Sequence, residues 1–335
     1  MESAGQAAAT ADDKPGILVP EHFVPTPTTI SAEAQAILSR ELPDFGVTLP
    51  RLGDPPEVWQ AFKDIGNNGL VMMTKRYATL YPAEVVTHEL SQFSVYEITP
   101  HDTAPENAGR AIVFIHGGGF INGGGEGAIY CAMQFAGLAR CKTYSIDYRM
   151  VPDFCYPVPV DDCLEAYRFV LERHEPGKIG LFGPSAGANL VAAVALKARD
   201  LGLPLPGACA MHSVPSDIGM WGDTGHTNFM VDIILKKMMP ELSEAYANGQ
   251  DTRDPYMSPV HGNYAKGFPP SILVSGTRDL LLSDTVRLHQ AMIKGGADVD
   301  LLVFEAMGHM PFIDAPEEAD MYSQIIAFLF KHMKA

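Results

Sequence analysis

From residue 91 onward, short apolar runs alternate with amphipathic helical segments, and this alternation restricts the chain to one broad architecture. AIVFI (111–115), TYSI (143–146), IGLF (179–182), ACAM (208–211), SILVS (271–275) and DLLVFE (300–305) are almost continuously apolar. Strands buried on both faces of a parallel sheet read this way. SQFSVYEI (91–98) alternates instead, as an antiparallel strand with one wet face does. Between the runs, residues 186–200 place Leu190, Val191, Val194 and Leu196 at helical spacing and stop near Gly202 and Pro204. Residues 283–294 do the same with Val286, Leu288, Met292 and Ile293 before Lys294 and Gly295. Asp314, Pro316 and Glu317 open a last helix carrying Met321, Ile325, Phe328 and Leu329. The expectation is an α/β fold around a mostly parallel sheet. Chains of 335 residues often form one such domain.

The flanking regions are different. Residues 1–16 read as a flexible leader, and residues 17–30, with Pro20, Pro25 and Pro27, as extended chain. Ser31 is placed to cap a helix over AEAQAIL, and residues 55–80 read as one or two more helices. Residues 216–262 interrupt the alternation with FMVDIILKKMM and ELSEAYA, both helical in pattern. The net charge of −16 repels phosphate backbones, so nucleic acid is not an expected partner. The first residues lack the basic and apolar blocks of a secretory signal, and no apolar run approaches the roughly 18 residues that span a membrane, so a cytoplasmic location is expected. A homodimer is compatible with the sequence. The five cysteines, without close pairs, read as small buried apolar residues rather than as a disulfide framework or zinc site.

Gly183-Pro184-Ser185-Ala186-Gly187 fits G-x-S-x-G, and its context carries more weight than the pattern. It follows IGLF and opens ANLVAAVALKA, the strand–turn–helix setting of a nucleophile elbow. Glycines two residues either side are needed because the turn leaves no room for side chains. His116-Gly117-Gly118-Gly119-Phe120 follows AIVFI, and its successive glycines leave backbone N–H groups free to bind a developing oxyanion. The partner donor is the N–H after the nucleophile, that of Ala186. A phosphate-binding loop is disfavoured, since no G-x-G-x-x-G or G-K-[ST] opens a helix here. His116 precedes the serine and reads as structural.

In this architecture the acid and then the base follow the nucleophile. Of His289, His309 and His332, only His309 stands in a loop after a strand; the others sit on helices. Loops at the carboxyl ends of strands are where such active sites gather, which makes His309 the base. Asp279, just past SILVS, is placed to orient the imidazole. Asp284 is the runner-up, in what reads as the solvated first turn of a helix.

HGGGF (116–120), DYRMVPD (147–153), PVPVDD (157–162), GPSAGANL (183–190), SGTRDLLLSD (275–284) and GHMPF (308–312) together resemble the hormone-sensitive-lipase-like carboxylesterases, in that family's order and spacing. The resemblance covers residues 90–335 clearly and the N-terminal part loosely. It implies an α/β-hydrolase fold with a central eight-stranded sheet and a helical cap. The cap combines residues 17–90 with an insert at about 216–250, and the catalytic domain is 91–335. It implies Ser185, Asp279 and His309 as the triad, the N–H groups of Gly118, Gly119 and Ala186 as oxyanion donors, small-molecule esters with short to medium acyl chains as substrates, and neither metal nor cofactor. Pro184, Ala188 and Asp153 depart from the family pattern, the first two beside the pocket floor without touching the triad. Phe120, Trp221, Phe229 and Met230 are the expected substrate contacts, with Phe23, Phe45 and Ile234 as further apolar candidates. An amidase or lactonase uses the same triad. A non-catalytic ligand-binding relative lacks the base, so His309 favours an enzyme.

Overall fold

Each continuous apolar run forms a strand of one eight-stranded sheet. The structure is a computed structural model and describes residues 23–40, 49–220, 222–235 and 240–335. The strands are β1 (Ala83–Glu89), β2 (Ser94–Pro100), β3 (Ala111–Ile115), β4 (Thr143–Asp147), β5 (Ile179–Pro184), β6 (Ala208–His212), β7 (Ser271–Gly276) and β8 (Val299–Phe304). They lie in the order β1-β2-β4-β3-β5-β6-β7-β8. β2 is antiparallel to both β1 and β4, and every other pairing is parallel.

This order places the site. The chain leaves β3 toward β4 on one side and leaves β5 toward β6 on the other. The two connections diverge, so a crevice opens at the carboxyl ends of β3 and β5. The HGGGF loop follows β3 and Ser185 follows β5, which brings both to that crevice.

The helices are α1 (Ala32–Leu38), α2 (Pro56–Thr74), α3 (Tyr77–Leu80), α4 (Glu126–Ala139), α5 (Val158–Leu171), α6 (Ala186–Asp200), α7 (Thr224–Thr227), α8 (Pro240–Ala247), α9 (Leu282–Lys294) and α10 (Pro316–His332). Val113, Ile115 and Leu181 face a layer with Val160 and Leu164 of α5, Val191 of α6 and Leu288 of α9. The alternate residues Ile112, Phe114 and Phe182 face Phe135 and Ala136 of α4 and Ile325 and Leu329 of α10. Twelve of the fifteen residues of α6 are buried, so the helix that carries the elbow is fixed by packing along most of its length. Each of its buried Leu and Val side chains contributes about 1.5–3 kcal/mol.

Ser31 caps α1 by accepting the Ala34 N–H at 3.1 Å, and it also binds Glu317 of α10, which fixes α1 against the last helix. Two expectations change. β1 pairs along its length with β2, so residues 83–89 belong to the sheet and not to the N-terminal part of the cap. Its residues are mostly exposed, and ladder hydrogen bonds hold it without a buried face. In the insert, residues 229–235 of the run read as helical form turns. Asp232 Oδ1 accepts the N–H groups of Ile234 and Leu235 at 2.9 and 3.0 Å, a local alternative that competes with helix. The leader, Phe45 and Trp221 lie outside the described residues.

Candidate active site

The chain turns from β5 into α6 at Ser185 with φ 54° and ψ −125°. That region costs a side-chain-bearing residue about 1–3 kcal/mol and persists only where its surroundings impose it. Here they do. A Cβ at Gly187 would stand 1.9 Å from the Ile115 carbonyl oxygen, and one at Gly183 would stand 2.5 Å from the Gly187 carbonyl carbon. The elbow is therefore pressed against the end of β3 at a distance only glycine permits. The Ser185 N–H donates to the His212 carbonyl at 2.8 Å, which anchors the turn to β6.

Ser185 Oγ lies 2.9 Å from Nε2 of His309, in the loop between β8 and α10. On the far side of the ring, Nδ1 lies 2.6 Å from Ser213 Oγ and 3.7 Å from Asp279 Oδ1. The Asp279 carboxylate is fully buried; it accepts the Ser275 hydroxyl at 2.6 Å and the Leu281 N–H at 2.9 Å. The structure thus brings Ser185, His309 and Asp279 together in the expected order. It inserts Ser213, at the end of β6 with φ 53°, as the nearest partner of Nδ1. Nothing in the run HSVPSD separates Ser213 from an ordinary turn serine.

The electrostatics follow from burial and pairing. Burial pushes the Asp279 carboxyl upward, but His309 and the hydroxyls of Ser213 and Ser275 outweigh it and hold the group below its ordinary value. Burial pushes the His309 imidazole downward, and Asp279 and the charge of Asp232 outweigh it, so the imidazole titrates above its ordinary value. Asp284 is not the solvated residue that its position suggests. It is buried, and burial raises its carboxyl to about 7. Its partners are the Asp217 N–H and Arg287, not His309.

The glycine loop is shaped by its own carbonyls. Ile121 and Asn122 donate their N–H groups to the Gly118 carbonyl at 3.1 and 2.9 Å. Gly118 has φ 110°, and a Cβ there would stand 2.0 Å from the Asn122 carbonyl oxygen. The N–H groups of Gly118, Gly119 and Ala186 donate to no acceptor among the described residues, and all three residues border one cavity with Ser185 and His309. Ala186 also begins α6, where the helix dipole adds positive potential. His116 is buried and stacked on Tyr148 with ring centroids 4.2 Å apart, which makes it part of the loop's support.

The cavity has a volume of about 360 Å³ and a mainly apolar wall that includes Phe62, Leu70, Ile121, Ile218, Ile234 and Leu242. Phe120 lines it, fixed by stacking on Tyr246 at 3.8 Å. Phe229 and Met230 do not line it; they are 52% and 63% exposed. A helix would have put residue 230 on one face with residue 234, but Met230 adopts φ 69° and the chain turns there. Phe23, 87% exposed, is also away from the cavity, whereas Ile234 is in its wall. A second cavity of about 500 Å³ shares Leu70, Phe114, Cys131, Pro184, Ile234 and Met310 with the first. Pro184 therefore borders both cavities.

Comparison with known proteins identifies the fold and the family. A family profile described as the alpha/beta hydrolase fold matches residues 112–313. An acetyl-hydrolase of Streptomyces hygroscopicus is 32% identical over 204 residues, covering 60% of this chain and 68% of its own. Esterase LipI of Mycobacterium tuberculosis is 28% identical, covering 65% and 72%. Among solved structures, an esterase E25 superposes with a TM-score of 0.88 at 32% identity over 95% of this chain and 99% of its own. A hormone-sensitive lipase from a metagenome library reaches 0.72 at 26% identity over 84% and 99%.

Proposed function

The chain belongs to the hormone-sensitive-lipase-like branch of the α/β-hydrolase family and is a serine hydrolase, and from that premise we propose that it cleaves short- to medium-chain carboxylic esters through an acyl-enzyme on Ser185. The observation that carries this reading is Ser185 Oγ, 2.9 Å from a buried imidazole, at the mouth of an apolar cavity beside three backbone N–H groups without acceptors among the described residues.

His309 Nε2 takes the serine proton as Oγ attacks the ester carbonyl. The carbonyl oxygen becomes an oxyanion and accepts hydrogen bonds from the N–H groups of Gly118, Gly119 and Ala186, an interaction of several kcal/mol that is strongest in the transition state. Asp279 and Ser213 hold the ring so that Nε2 faces the serine, and Asp279 offsets the imidazolium charge. Collapse releases the alcohol with the proton from His309. Water, deprotonated by the same nitrogen, then attacks the acyl-enzyme and releases the acid. A wall of Phe62, Leu70 and Ile121 suits an acyl chain, and a volume of about 360 Å³ falls within the range of small-molecule sites.

A panel of p-nitrophenyl esters from acetate to palmitate, with matched anilides and lactones, tests the substrate class on purified protein. The highest kcat/KM is expected between acetate and octanoate, with each anilide slower than the ester of the same acyl group. Turnover of an anilide or lactone above that of every ester overturns the assignment. The same esters give a pH profile. Catalysis needs neutral His309, and its imidazole titrates above the ordinary 6.5, so kcat/KM falls as pH drops through a midpoint above that value. Constant activity down to pH ~5 excludes a histidine base.

A further inference from the structure

His309 has a second carboxylate neighbour, and it comes from the insert rather than from a sheet loop. Asp232 is fully buried. Its Oδ2 accepts the backbone N–H of His309 at 2.8 Å and that of Leu280 at 3.1 Å. Its Oδ1 accepts the N–H groups of Ile234 and Leu235. One carboxylate thus joins three segments: the residue after Asp279, the base itself, and the two insert residues that form part of the cavity wall. The fit is close on the His309 side, where a Cβ on Gly308 would stand 3.0 Å from Asp232 Oδ1. Asn228, four residues earlier, adds to the same junction by donating its side-chain amide to the carbonyls of Thr277 and Asp279 at 3.1 and 2.8 Å.

We propose that Asp232 is a positioning residue for the hydrolysis, holding the acid loop and the base loop at fixed spacing and supplying negative charge beside the imidazole. The proposal rests on the reading of Ser185, His309 and Asp279 as the reacting triad. Its physical basis is that Asp232 bonds the backbone of one triad member and of the residue next to another. Small displacements of a reacting group cost about 100-fold in rate. Charge-assisted bonds to backbone N–H groups are short and directional, so they define spacing better than apolar packing does. The insert is then part of the catalytic frame, and the cavity wall at Ile234 and Leu235 moves only with the triad.

Asp279 comes from the loop after β7 and Asp232 from the insert. His212, on β6, is held by burial at about 4 and is neutral at working pH. Ser185 and Ser213 present hydroxyls. Two carboxylates therefore favour the imidazolium, and removing one lowers the pH at which His309 gives up its proton.

D232N keeps size and shape while removing the charge and turning one acceptor into a donor. Three readouts decide the matter: the melting temperature, the kcat and KM of an ester across pH, and the rate at which a fluorophosphonate labels Ser185. Asp232 as a mere cap of its own turn predicts a lower melting temperature with normal chemistry. The positioning role predicts kcat down by about 10- to 100-fold with KM nearly unchanged, slower labelling, and an acidic limb displaced to lower pH. D232E returns the charge without the spacing, so its limb moves back while kcat stays low. Wild-type kcat and an unmoved limb in D232N overturn the proposal. If D232N does not fold, Gly308→Ala takes its place. It pushes the carboxylate aside with its charge intact, so kcat falls with the limb in place, and full kcat overturns the proposal. Wild-type protein that fails to label at Ser185 instead sinks the triad reading itself.

Discussion

Ser185→Ala is expected to reduce kcat for an activated ester on the order of 10⁶-fold, leaving only what the N–H groups and the cavity contribute over water. The variant should fold. Alanine meets the same backbone strain at φ 54°, and the change removes only one oxygen whose main partner is His309 Nε2. A melting temperature close to wild type is expected, since nothing in the core is disturbed. Another hydroxyl stands near the imidazole, and it cannot take over. Ser213 Oγ faces Nδ1, on the side of the ring away from the glycine loop, so an attack from it would leave the oxyanion without its donors. Loss of turnover, loss of fluorophosphonate labelling and an unchanged far-ultraviolet spectrum together form the expected result. Turnover within about 100-fold of wild type removes Ser185 as nucleophile.

The parts of this molecule that can be read from sequence are those whose cause is local. β3, β6 and β7 are buried on both faces, so their residues are predominantly apolar. The elbow shows because a turn that tight needs glycine on each side and because a strand and a helix adjoin it. β1 escapes because an edge strand bonded along its length to β2 needs no apolar face. Ser213 and Asp232 escape for another reason: their partner, His309, lies 96 and 77 residues away, and no local pattern encodes that adjacency. Asp232 is further hidden inside a run whose apolar spacing reads as helix. The same misreading explains Phe229 and Met230. They are apolar, and a helix through them would face the cavity, but the turn at Met230 leaves them exposed and presents Ile234 and Leu235 in their place.

Asp279→Asn is expected to lower kcat by about 10⁴-fold while KM moves little, because the carboxylate acts on the base and not on the substrate. Two effects combine. An asparagine amide cannot offset the imidazolium, so the proton transfer from Ser185 becomes harder and the acidic limb moves to lower pH. The amide also has only one acceptor oxygen for a site that holds the Leu281 N–H and the Ser275 hydroxyl, so its NH₂ is turned toward a donor or toward the ring. The ring then loses the partner that keeps a proton on Nδ1 and leaves Nε2 free. Asp284→Asn is the control, because Asp284 binds the Asp217 N–H and Arg287 and does not touch the triad; it should change stability and leave kcat within a few fold. If Asp284→Asn is the variant that loses four orders of magnitude, Asp279 is not the acid. Ser213 supplies a third possible result. Its hydroxyl is nearer to Nδ1 than the carboxylate is, 2.6 Å against 3.7 Å. A loss of only about 10-fold in Asp279→Asn, deepened by adding Ser213→Ala, assigns ring orientation to the hydroxyl and leaves the carboxylate its charge alone. Non-additive losses in the double variant locate both groups on one path to the imidazole, and additive losses place them on separate ones.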